Sequence, residues 1–373
     1  MYRIVILSIV FWRKKLSELP NVDVSEFANF DVSCNKKQKS ECAIKISDVY
    51  CDGFSDNGCI GAFSHFHSDH ISSLTKCIGR YDTIITHSIT FQAIIAIKPG
   101  FKLREQWVPQ DYDTKYSTKS ADIRLLKANH IPGSSQIHVE SNGVSYLYSG
   151  DFSYPGVQTR TADYLVLDAT HGDPWYDGST DRKSVLNRMF EDVKDQLESN
   201  RSVIINCAAG TLQEIIRHFE IGYDGGKLSH DIPFVCNKIQ KNILHSIYDD
   251  EKKEFREIID FDDREFWTLN RNNRKHVIFA ISPPTDSELQ NHYKIIVDRF
   301  RYTKGDAAIL PFDGGCKYNL SSHASIDDIY KYVDDVKPKI VITDYSRSDY
   351  AKVLSKLISQ KFPNIKTYFR PPE

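Results

Sequence analysis

Three imidazoles and a carboxylate lie within the seven consecutive residues Ser64-His65-Phe66-His67-Ser68-Asp69-His70, directly after the mostly apolar run Cys59–Phe63. Imidazole and carboxylate are the side chains that bind zinc and similar divalent cations. At the end of a strand, this spacing sends His65 and His67 to one side of the turn and Asp69 and His70 to the other. The stretch can therefore bind two ions. A histidine-rich loop without a role is the disfavoured alternative.

Two more candidate ligands follow predicted strands. The strand Ile123–Ala128 leads to His130 in a Pro-Gly turn, and the strand Val144–Tyr148 leads to Asp151 beside Gly150. A histidine at such a turn is by itself more often structural. An aspartate at a strand end can bridge two ions, so together with the histidine-rich stretch His130 and Asp151 complete a two-metal ligand set in chain order.

The elements around these residues alternate between strands and helices. Apolar alternation predicts a strand over Ile44–Val49, and Asp52 at its end is expected to orient ligands rather than to bind metal itself. Asp82–Thr86 is predicted as a strand, and Ile89–Ile97 as a helix that ends at Pro99-Gly100. This alternation indicates an α/β protein.

Composition limits the partners and the location. The chain has 373 residues, a formal net charge of −2 and eight cysteines without a C-x-x-C pair. The near-neutral charge gives no global attraction to nucleic acid, so a polyanion site requires a local patch or bound metal. The apolar run Ile4–Trp12 is too short to span a membrane. These features predict an intracellular protein, cytoplasmic or nuclear, with no membrane contact and with protein partners left open.

The order H-x-H-x-D-H, then a single histidine, then Gly-Asp-Phe resembles the metallo-β-lactamase fold, an αββα sandwich with metals at one edge of its sheets. Tyr164–Pro174 resembles the first signature of the β-CASP nucleases, whose acidic residue corresponds to Asp168. The phrases Asn129–Gly133 and Leu167–Thr170 are similar to those of the Artemis-like, DNA cross-link-repair branch. The resemblance extends from about Ile46 to Thr343.

The resemblance implies a domain organisation. Residues 1–40 form an N-terminal extension, 41–180 the first part of the metallo-β-lactamase domain, 181–313 an inserted α/β cap, and 314–373 the second part. Within the cap, Ser184–Leu197 is predicted as a helix and Gly210–Glu214 as a helix start that resembles many β-CASP proteins. Parallel strands are predicted at Val203–Ala208, Ile232–Cys236, Val277–Ile281 and Ala307–Leu310.

Leu320–Ser325 resembles the second β-CASP signature, whose histidine, here His323, completes the metal site. Ser322 and Ser325 are candidate phosphate contacts, and capping of the helix that begins near Ile326 is the alternative for both. At the third signature, DNA-directed members tend to carry valine and RNA-directed members histidine. This chain offers neither, and the choice between Asp344 and Tyr345 stays open.

The resemblance implies a metal-dependent phosphodiesterase. His65, His67 and His130 would hold one ion, and Asp69, His70 and His323 a second, with Asp151 between them. One or two zinc ions are expected, with manganese or magnesium as alternatives at the second site. Asp69 could also move a proton, and Asp168 would support the site, so Asp69, Asp151 and Asp168 are the candidate catalytic residues. Trp175 and Tyr176 would either stack on bases or pack between cap and core.

Four functions compete. The favoured one is a DNA 5′-exonuclease, or a structure-specific endonuclease, in DNA repair. An RNA-processing nuclease of the same architecture is the second. A small-molecule metallohydrolase is the third, and the long insertion and His323 count against it. An inactive scaffold is the fourth, and the complete ligand set counts against it. The expected partner is therefore nucleic acid, with DNA favoured over RNA.

Overall fold

A computed structural model describes residues 30–35, 38–174, 181–222, 226–248, 256–282, 289–298 and 309–369. Most of the expected N-terminal extension, including the apolar run of residues 4–12, lies outside the described residues, as do Trp175 and Tyr176. In the part of the chain that is described, no helix is both long enough and apolar enough to span a membrane.

The elements are numbered here along the chain. The strands are β1 (Phe30–Asn35), β2 (Gln38–Ile46), β3 (Val49–Cys51), β4 (Ile60–Phe63), β5 (Thr83–His87), β6 (Trp107–Gln110), β7 (Lys115–Ser117), β8 (Asp122–Lys127), β9 (Ser135–Ser141), β10 (Val144–Tyr148), β11 (Tyr164–Leu167), β12 (Val203–Asn206), β13 (Phe234–Cys236), β14 (Ile258–Asp260), β15 (Val277–Ala280), β16 (Tyr293–Asp298), β17 (Ile309–Phe312), β18 (Gly315–Asn319), β19 (Ile340–Thr343) and β20 (Lys366–Phe369). The helices are α1 (Leu74–Ile78), α2 (Ser88–Ile97), α3 (Arg182–Glu198), α4 (Thr211–Ile221), α5 (Lys238–Tyr248), α6 (Arg264–Arg271), α7 (Ile326–Val336) and α8 (Ala351–Lys361), with a 3₁₀ turn at Pro99–Leu103.

Two mixed sheets form the larger part of the fold. The first has the spatial order β1-β2-β3-β4-β5-β6, and its strands from β3 to β6 run parallel. The second has the order β20-β19-β11-β10-β9-β8-β7, and β10, β11, β19 and β20 run parallel. Since the carboxyl ends of neighbouring parallel strands meet at one edge of a sheet, each sheet brings several strand ends together.

The two sheets pack face to face, with helices on the outside. Successive strand residues point to opposite faces, and β8 shows the consequence. Leu125 packs in a cluster with Ile85 of the first sheet, while Leu126 packs with Ile329 of α7. Helices α1 and α2 cover the outer face of the first sheet, and α7 and α8 cover that of the second. The layers are thus helix, sheet, sheet, helix.

The third sheet is an α/β unit of its own, in the order β14-β13-β15-β12-β16-β18-β17. Its strands are parallel except β17, which pairs antiparallel with β18 at the edge. On β12, Val203 packs with α3 and α4, while Ile204 packs with α6 on the opposite face. Helix α5 also packs against α2, since Ile243 and Ala93 belong to one apolar cluster. The unit that carries the third sheet is therefore in contact, through α5 and α2, with the helices that cover the first sheet.

The α/β class is confirmed, but two strand predictions differ from the structure. Ile44–Val49 is not one strand, because the chain turns at Ser47, whose φ is 56°, between β2 and β3. Of the parallel strand expected at Ala307–Leu310, residues 307 and 308 lie outside the described residues, and Ile309 and Leu310 belong to β17, which is antiparallel. The domain boundary at residue 313 stays a prediction. It lies just before β18, which pairs with β16 of the third sheet.

One buried histidine of the second sheet is expected to make the stability of the folded protein depend on pH. His138 on β9 is 1% exposed, and within the described residues neither ring nitrogen has a hydrogen-bond partner. Burial, reinforced by the nearby Arg160 and Arg124, lowers its pKa from 6.5 to about 4. Between pH 6.5 and 4, the unfolded chain therefore binds a proton at His138 that the folded protein does not bind.

We expect this histidine to make the protein less stable as pH falls from 6.5 to 4, with a slope of at most about 1.4 kcal/mol per pH unit. Urea unfolding across this range should show a shallower loss for His138→Gln than for the wild type. His230, which is exposed, offers a control, because His230→Gln should leave the slope unchanged. An equal slope in all three proteins would rule out His138 as the source.

Candidate metal centre

The candidate metal ligands and the residues that orient them lie where strands of the two large sheets end. Asp52 follows β3, and Ser64–His70 follows β4 in the first sheet. Asp151 follows β10, and Asp168 follows β11 in the second. Because β3 runs parallel to β4 and β10 runs parallel to β11, each pair of ends lies at one edge.

Three histidines converge on one point beside Asp151. His65 Nε2 lies 3.0 Å from His67 Nδ1, and His130 Nε2 lies 3.1 Å from the same atom. Asp151 Oδ2 is 3.7 Å from His65 Nε2 and 3.6 Å from His130 Nε2. One ligand atom from each of the four residues falls within 4.8 Å of all the others. This is a donor set that zinc accepts.

Each of these histidines uses its other ring nitrogen in a hydrogen bond. His130 Nδ1 lies 2.9 Å from the Ser322 carbonyl oxygen, and His67 Nε2 lies 2.9 Å from the Ala209 carbonyl oxygen. Because a carbonyl only accepts, both nitrogens are donors, and the nitrogen facing the centre carries a lone pair. His65 Nδ1 is 2.9 Å from Ser64 Oγ, whose own proton goes to a carboxylate. The tautomers therefore fit a bound cation.

His70 is held by Asp52. Its Nδ1 donates to Asp52 Oδ2 at 2.7 Å, and its buried Nε2 makes no hydrogen bond within the described residues. That nitrogen lies 3.3 Å from Asp151 Oδ2 and 3.6 Å from Asp69 Oδ2. A buried nitrogen left without a donor or acceptor, and facing two carboxylates, also fits a metal ligand.

Asp52 organises the inner side of the site. Its fully buried carboxylate accepts from the Ser64 backbone N–H at 2.7 Å, from Ser64 Oγ at 2.5 Å and from Tyr148 Oη at 3.1 Å, besides His70. Burial alone would raise its pKa, but His70 and Arg347 together lower it. Asp52 thus orients His70 directly and His65 through Ser64.

A second group consists of Asp151, Asp168 and His323. His323 Nδ1 lies 2.9 Å from Asp168 Oδ2, and His323 Nε2 lies 3.9 Å from Asp151 Oδ2. The other oxygen of Asp168 accepts from the Thr170 backbone N–H at 2.8 Å. Asp168 therefore fixes the ring of His323, with Nε2 directed towards Asp151.

The site's electrostatics favour cation binding at neutral pH. Burial, and then the neighbouring imidazoles, holds the pKa values of His65 and His130 well below 6.5, so both are neutral. Burial would raise the pKa of Asp151, but His70 and His323 hold it well below 3.8. His70 is the exception. Burial would lower its pKa, yet Asp151 and Asp52 raise it to about 10, so it carries a proton that a bound cation would displace.

The remaining predicted site residues fall in different places. The side chain of Asp69 is 57% exposed and lies at the rim. Ser322 contributes its carbonyl to His130. Ser325 Oγ accepts from the Asp328 backbone N–H and donates to the Asp328 carboxylate as the N-cap of α7. The geometry of Ser325 therefore favours the capping interpretation over phosphate binding.

Sequence reasoning missed two contributors and left a third open. Arg347 contacts Asp52 from the loop after β19. Ala209 contacts His67 from between β12 and α4, in the part of the chain from α3 to β18 that carries the third sheet and is called the third-sheet segment. At the third signature, Asp344 is buried and accepts from Ser346 and Arg347, whereas Tyr345 packs against the apolar core of the second sheet. Asp344 is thus linked to Asp52 through Arg347. The signal that pointed to Asp344 is its position directly after β19, a strand that runs parallel to β11.

The contact from Ala209 depends on the glycine after it. Gly210 has φ of 86°, and its N–H donates to Gln213 Oε1 at 2.7 Å. A Cβ at this position would lie 2.7 Å from Ile131 Cγ2. Both the backbone conformation and the close approach therefore require glycine.

We expect Gly210→Ala to displace the Ala209 carbonyl and weaken zinc binding roughly tenfold, because His67 loses the acceptor that orients it. Zinc affinity is measured by competition with a chromophoric chelator. Gly222→Ala is the matched control, since Gly222 ends the same helix with φ of 74° and its Cβ would lie 2.5 Å from Lys227 Cγ. It should lower stability but leave zinc affinity unchanged. Equal losses of affinity would contradict a specific role for this contact.

Comparison with known proteins finds sequence relatives but no matching family model. DNA cross-link repair 1A protein of Mus musculus is 32% identical in an alignment of 150 positions that covers 36% of this chain and 14% of that protein. An RNase J-like protein of Methanocaldococcus jannaschii is 26% identical over 191 residues, covering 46% of this chain and 45% of that protein. The chain thus spans less than half the length of these two relatives.

Two further comparisons cover more of the chain. Probable RNase MJ4 of Methanocaldococcus jannaschii is 22% identical in an alignment of 354 positions that covers 78% of this chain and 82% of that protein. A crystal structure of a protein of unknown function from Enterococcus faecalis V583 matches with a TM-score of 0.55 at 13% identity, over 87% of this chain and 82% of that one. That likeness concerns the fold alone. The sequence relatives, which are named for DNA cross-link repair and as RNases, confirm the resemblance of the motifs to the β-CASP nucleases of the metallo-β-lactamase superfamily.

Proposed function

We propose that the protein is a metal-dependent nuclease that hydrolyses phosphodiester bonds. One observation supports this most: the inward nitrogens of His65, His67 and His130 converge beside Asp151 while their outward nitrogens are engaged in hydrogen bonds. The two packed sheets with outer helices would be the metallo-β-lactamase sandwich, and the third-sheet segment would be the β-CASP cap. The relatives named for DNA repair and for RNA cleavage support the same reaction class.

The residues divide into two ligand groups. His65, His67 and His130 would hold one ion, and Asp69, His70 and His323 a second, with Asp151 common to both. Zinc is proposed for one or both, with manganese or magnesium as alternatives at the second. Bound divalent ions would supply Lewis acidity to a water molecule and positive charge to the phosphate oxygens. A chain of net charge −2 could in this way bind a polyanion.

The chain's own residues supply positioning and proton transfer. Asp52 and Asp168 hold His70 and His323 in place through the hydrogen bonds described above. Asp69, whose side chain is largely exposed, is placed to take a proton from water or return one to the leaving oxygen. Asp151 stays ionised because the imidazoles around it hold its pKa well below 3.8.

DNA is the proposed substrate, with digestion from the 5′ end and a role in DNA repair. The cross-link-repair relatives and the motif Leu167–Thr170 support it. RNA is the second candidate, because the relative that matches 78% of the chain is named as a probable RNase. An intracellular location, cytoplasmic or nuclear, is proposed as well. Six of the eight cysteines support it, since Cys51, Cys59, Cys77, Cys207, Cys236 and Cys316 are free thiols.

The test is digestion of matched single-stranded DNA and RNA oligonucleotides, labelled at either end, with and without a 5′-phosphate. Zinc, manganese and magnesium are supplied separately, and His65→Ala is the control. DNA shortened from its 5′ end by the wild type alone would support the leading proposal. Preferred cleavage of RNA would move the protein to the RNA-processing branch. Bound zinc with no cleavage of either would overturn the nuclease proposal, and nitrocefin and a thioester would then be tried.

A further inference from the structure

Arg347 reaches the metal centre from the far end of the chain. It lies in the loop after β19, its side chain is 8% exposed, and its Nη2 donates to the Asp52 carbonyl oxygen at 2.6 Å. Its Nη1 lies 3.1 Å from Ser346 Oγ and 3.4 Å from both Asp344 Oδ2 and Tyr148 Oη. One guanidinium therefore connects the loop after β19 with the residue that follows β3.

The residue it holds has an unusual backbone. Asp52 has φ of 48°, in the left-handed region that side chains other than glycine rarely adopt. Such a conformation persists only when its surroundings hold it. The N–H of Asp52 donates to the Ala62 carbonyl at 2.9 Å, and its own carbonyl accepts from Arg347. Arg347 is thus the partner of one of the two backbone groups of Asp52, and Ala62 is the partner of the other.

The direction of that peptide sets the direction of the Asp52 carboxylate. The carboxylate accepts from His70 Nδ1 and from Ser64 Oγ, and Ser64 Oγ in turn contacts His65 Nδ1. A displacement of Asp52 would therefore reorient His70 directly and His65 indirectly, through Ser64. Of the two proposed ligand groups, the one that contains His70 depends more strongly on the position of Asp52.

We propose that Arg347 is a positioning residue, which orients His70 and His65 for metal binding by holding the strained Asp52. This rests on the proposed function, because it assigns these histidines to a metal centre. Lysine could not substitute, since the planar fork of arginine reaches Asp52 with one nitrogen and Ser346 with the other. An ammonium group carries its three N–H donors on one nitrogen atom, so it does not reproduce the two separated nitrogens that contact Asp52 and Ser346.

The test compares two buried arginines that donate to backbone carbonyls. Arg256 belongs to the third-sheet segment, and its guanidinium donates to the carbonyls of Leu228, Ser229 and Ile232. We expect Arg347→Lys to weaken metal binding at the His70 group about 10- to 100-fold. It should also alter the visible absorption of the cobalt-substituted protein. Arg256→Lys should lower the thermal midpoint but leave affinity and spectrum as in the wild type.

Equal affinities in the wild type and Arg347→Lys, or equal losses in both variants, would overturn the proposal. Should Arg347→Lys not fold, as judged by circular dichroism, Asp344→Asn tests it instead. That change places an amide opposite Arg347 Nη1 in place of the carboxylate, and a smaller loss of affinity in the same direction is expected. No loss would overturn the proposal. Metal that binds in an Arg347-dependent way without cleavage of nucleic acid would overturn only the proposed function.

Discussion

Asp151→Asn is expected to lower nucleic-acid hydrolysis roughly 1000-fold, equivalent to about 4 kcal/mol of transition-state stabilisation. Asp151 Oδ2 lies between 3.3 and 3.9 Å from the Nε2 atoms of four histidines: His65, His70, His130 and His323. Asparagine keeps the shape of the side chain but removes its charge. The site then loses the anion common to both ligand groups.

Metal content separates this explanation from a folding defect. We expect zinc measured by atomic emission to fall in Asp151→Asn, while the far-ultraviolet circular dichroism stays that of the wild type. Asp56→Asn is the control, because Asp56 is an exposed carboxylate paired with Arg80 at the surface. It should keep full activity and metal. Hydrolysis by Asp151→Asn within tenfold of the wild type would contradict the role assigned to this carboxylate.

Asp52→Asn is expected to cost about 3–5 kcal/mol of unfolding free energy and to lower metal affinity about 10- to 100-fold. Its carboxylate accepts from His70, from Ser64 and from Tyr148, and an amide nitrogen in place of Oδ2 would confront these donors. The buried His70 would lose the partner of its Nδ1. Stability is measured by urea unfolding of the metal-free protein at pH 7.

The pH dependence of this effect follows from the sign of the shift. The pKa of Asp52 in the folded protein lies below its ordinary value of 3.8, since His70 and Arg347 outweigh burial. Its contribution to stability is therefore fully present above that ordinary value and is lost as pH falls through the folded-state pKa. The difference between the wild type and Asp52→Asn should be constant down to about pH 4 and shrink below it.

Asp163→Asn is the matched control for Asp52→Asn. Asp163 Oδ2 also accepts from a serine N–H and hydroxyl, those of Ser145, at 2.9 and 2.8 Å, and it pairs with Lys339 away from the site. The control should lose some stability and no metal affinity. If both variants lose affinity equally, Asp52 acts only through the fold and not on the ligands.

Much of the site could be predicted because its chemistry is local in sequence. His65, His67 and His70 lie within six residues, and each later ligand follows a recognisable strand end or motif. Helices with clear apolar periodicity were also predicted well, since Ser184–Leu197 and Ile89–Ile97 fall within α3 and α2. In contrast, β9 was missed, because the buried polar residues Ser135, Gln136 and His138 hide the alternation that marks a strand.

The sequence by itself determined that the chain carries a candidate metal site. The residue types and spacing of Ser64–His70 suffice for this, because a group of donor side chains close together in sequence is already recognisable there. Only the tertiary structure decided how each ligand side chain is oriented. Arg347 is 295 residues from Asp52, and Ala209 is 142 residues from His67. No local pattern reports contacts across such distances. They form when β19 pairs beside β11 and when the third-sheet segment packs on the first sheet, because only then do these polar groups meet their partners.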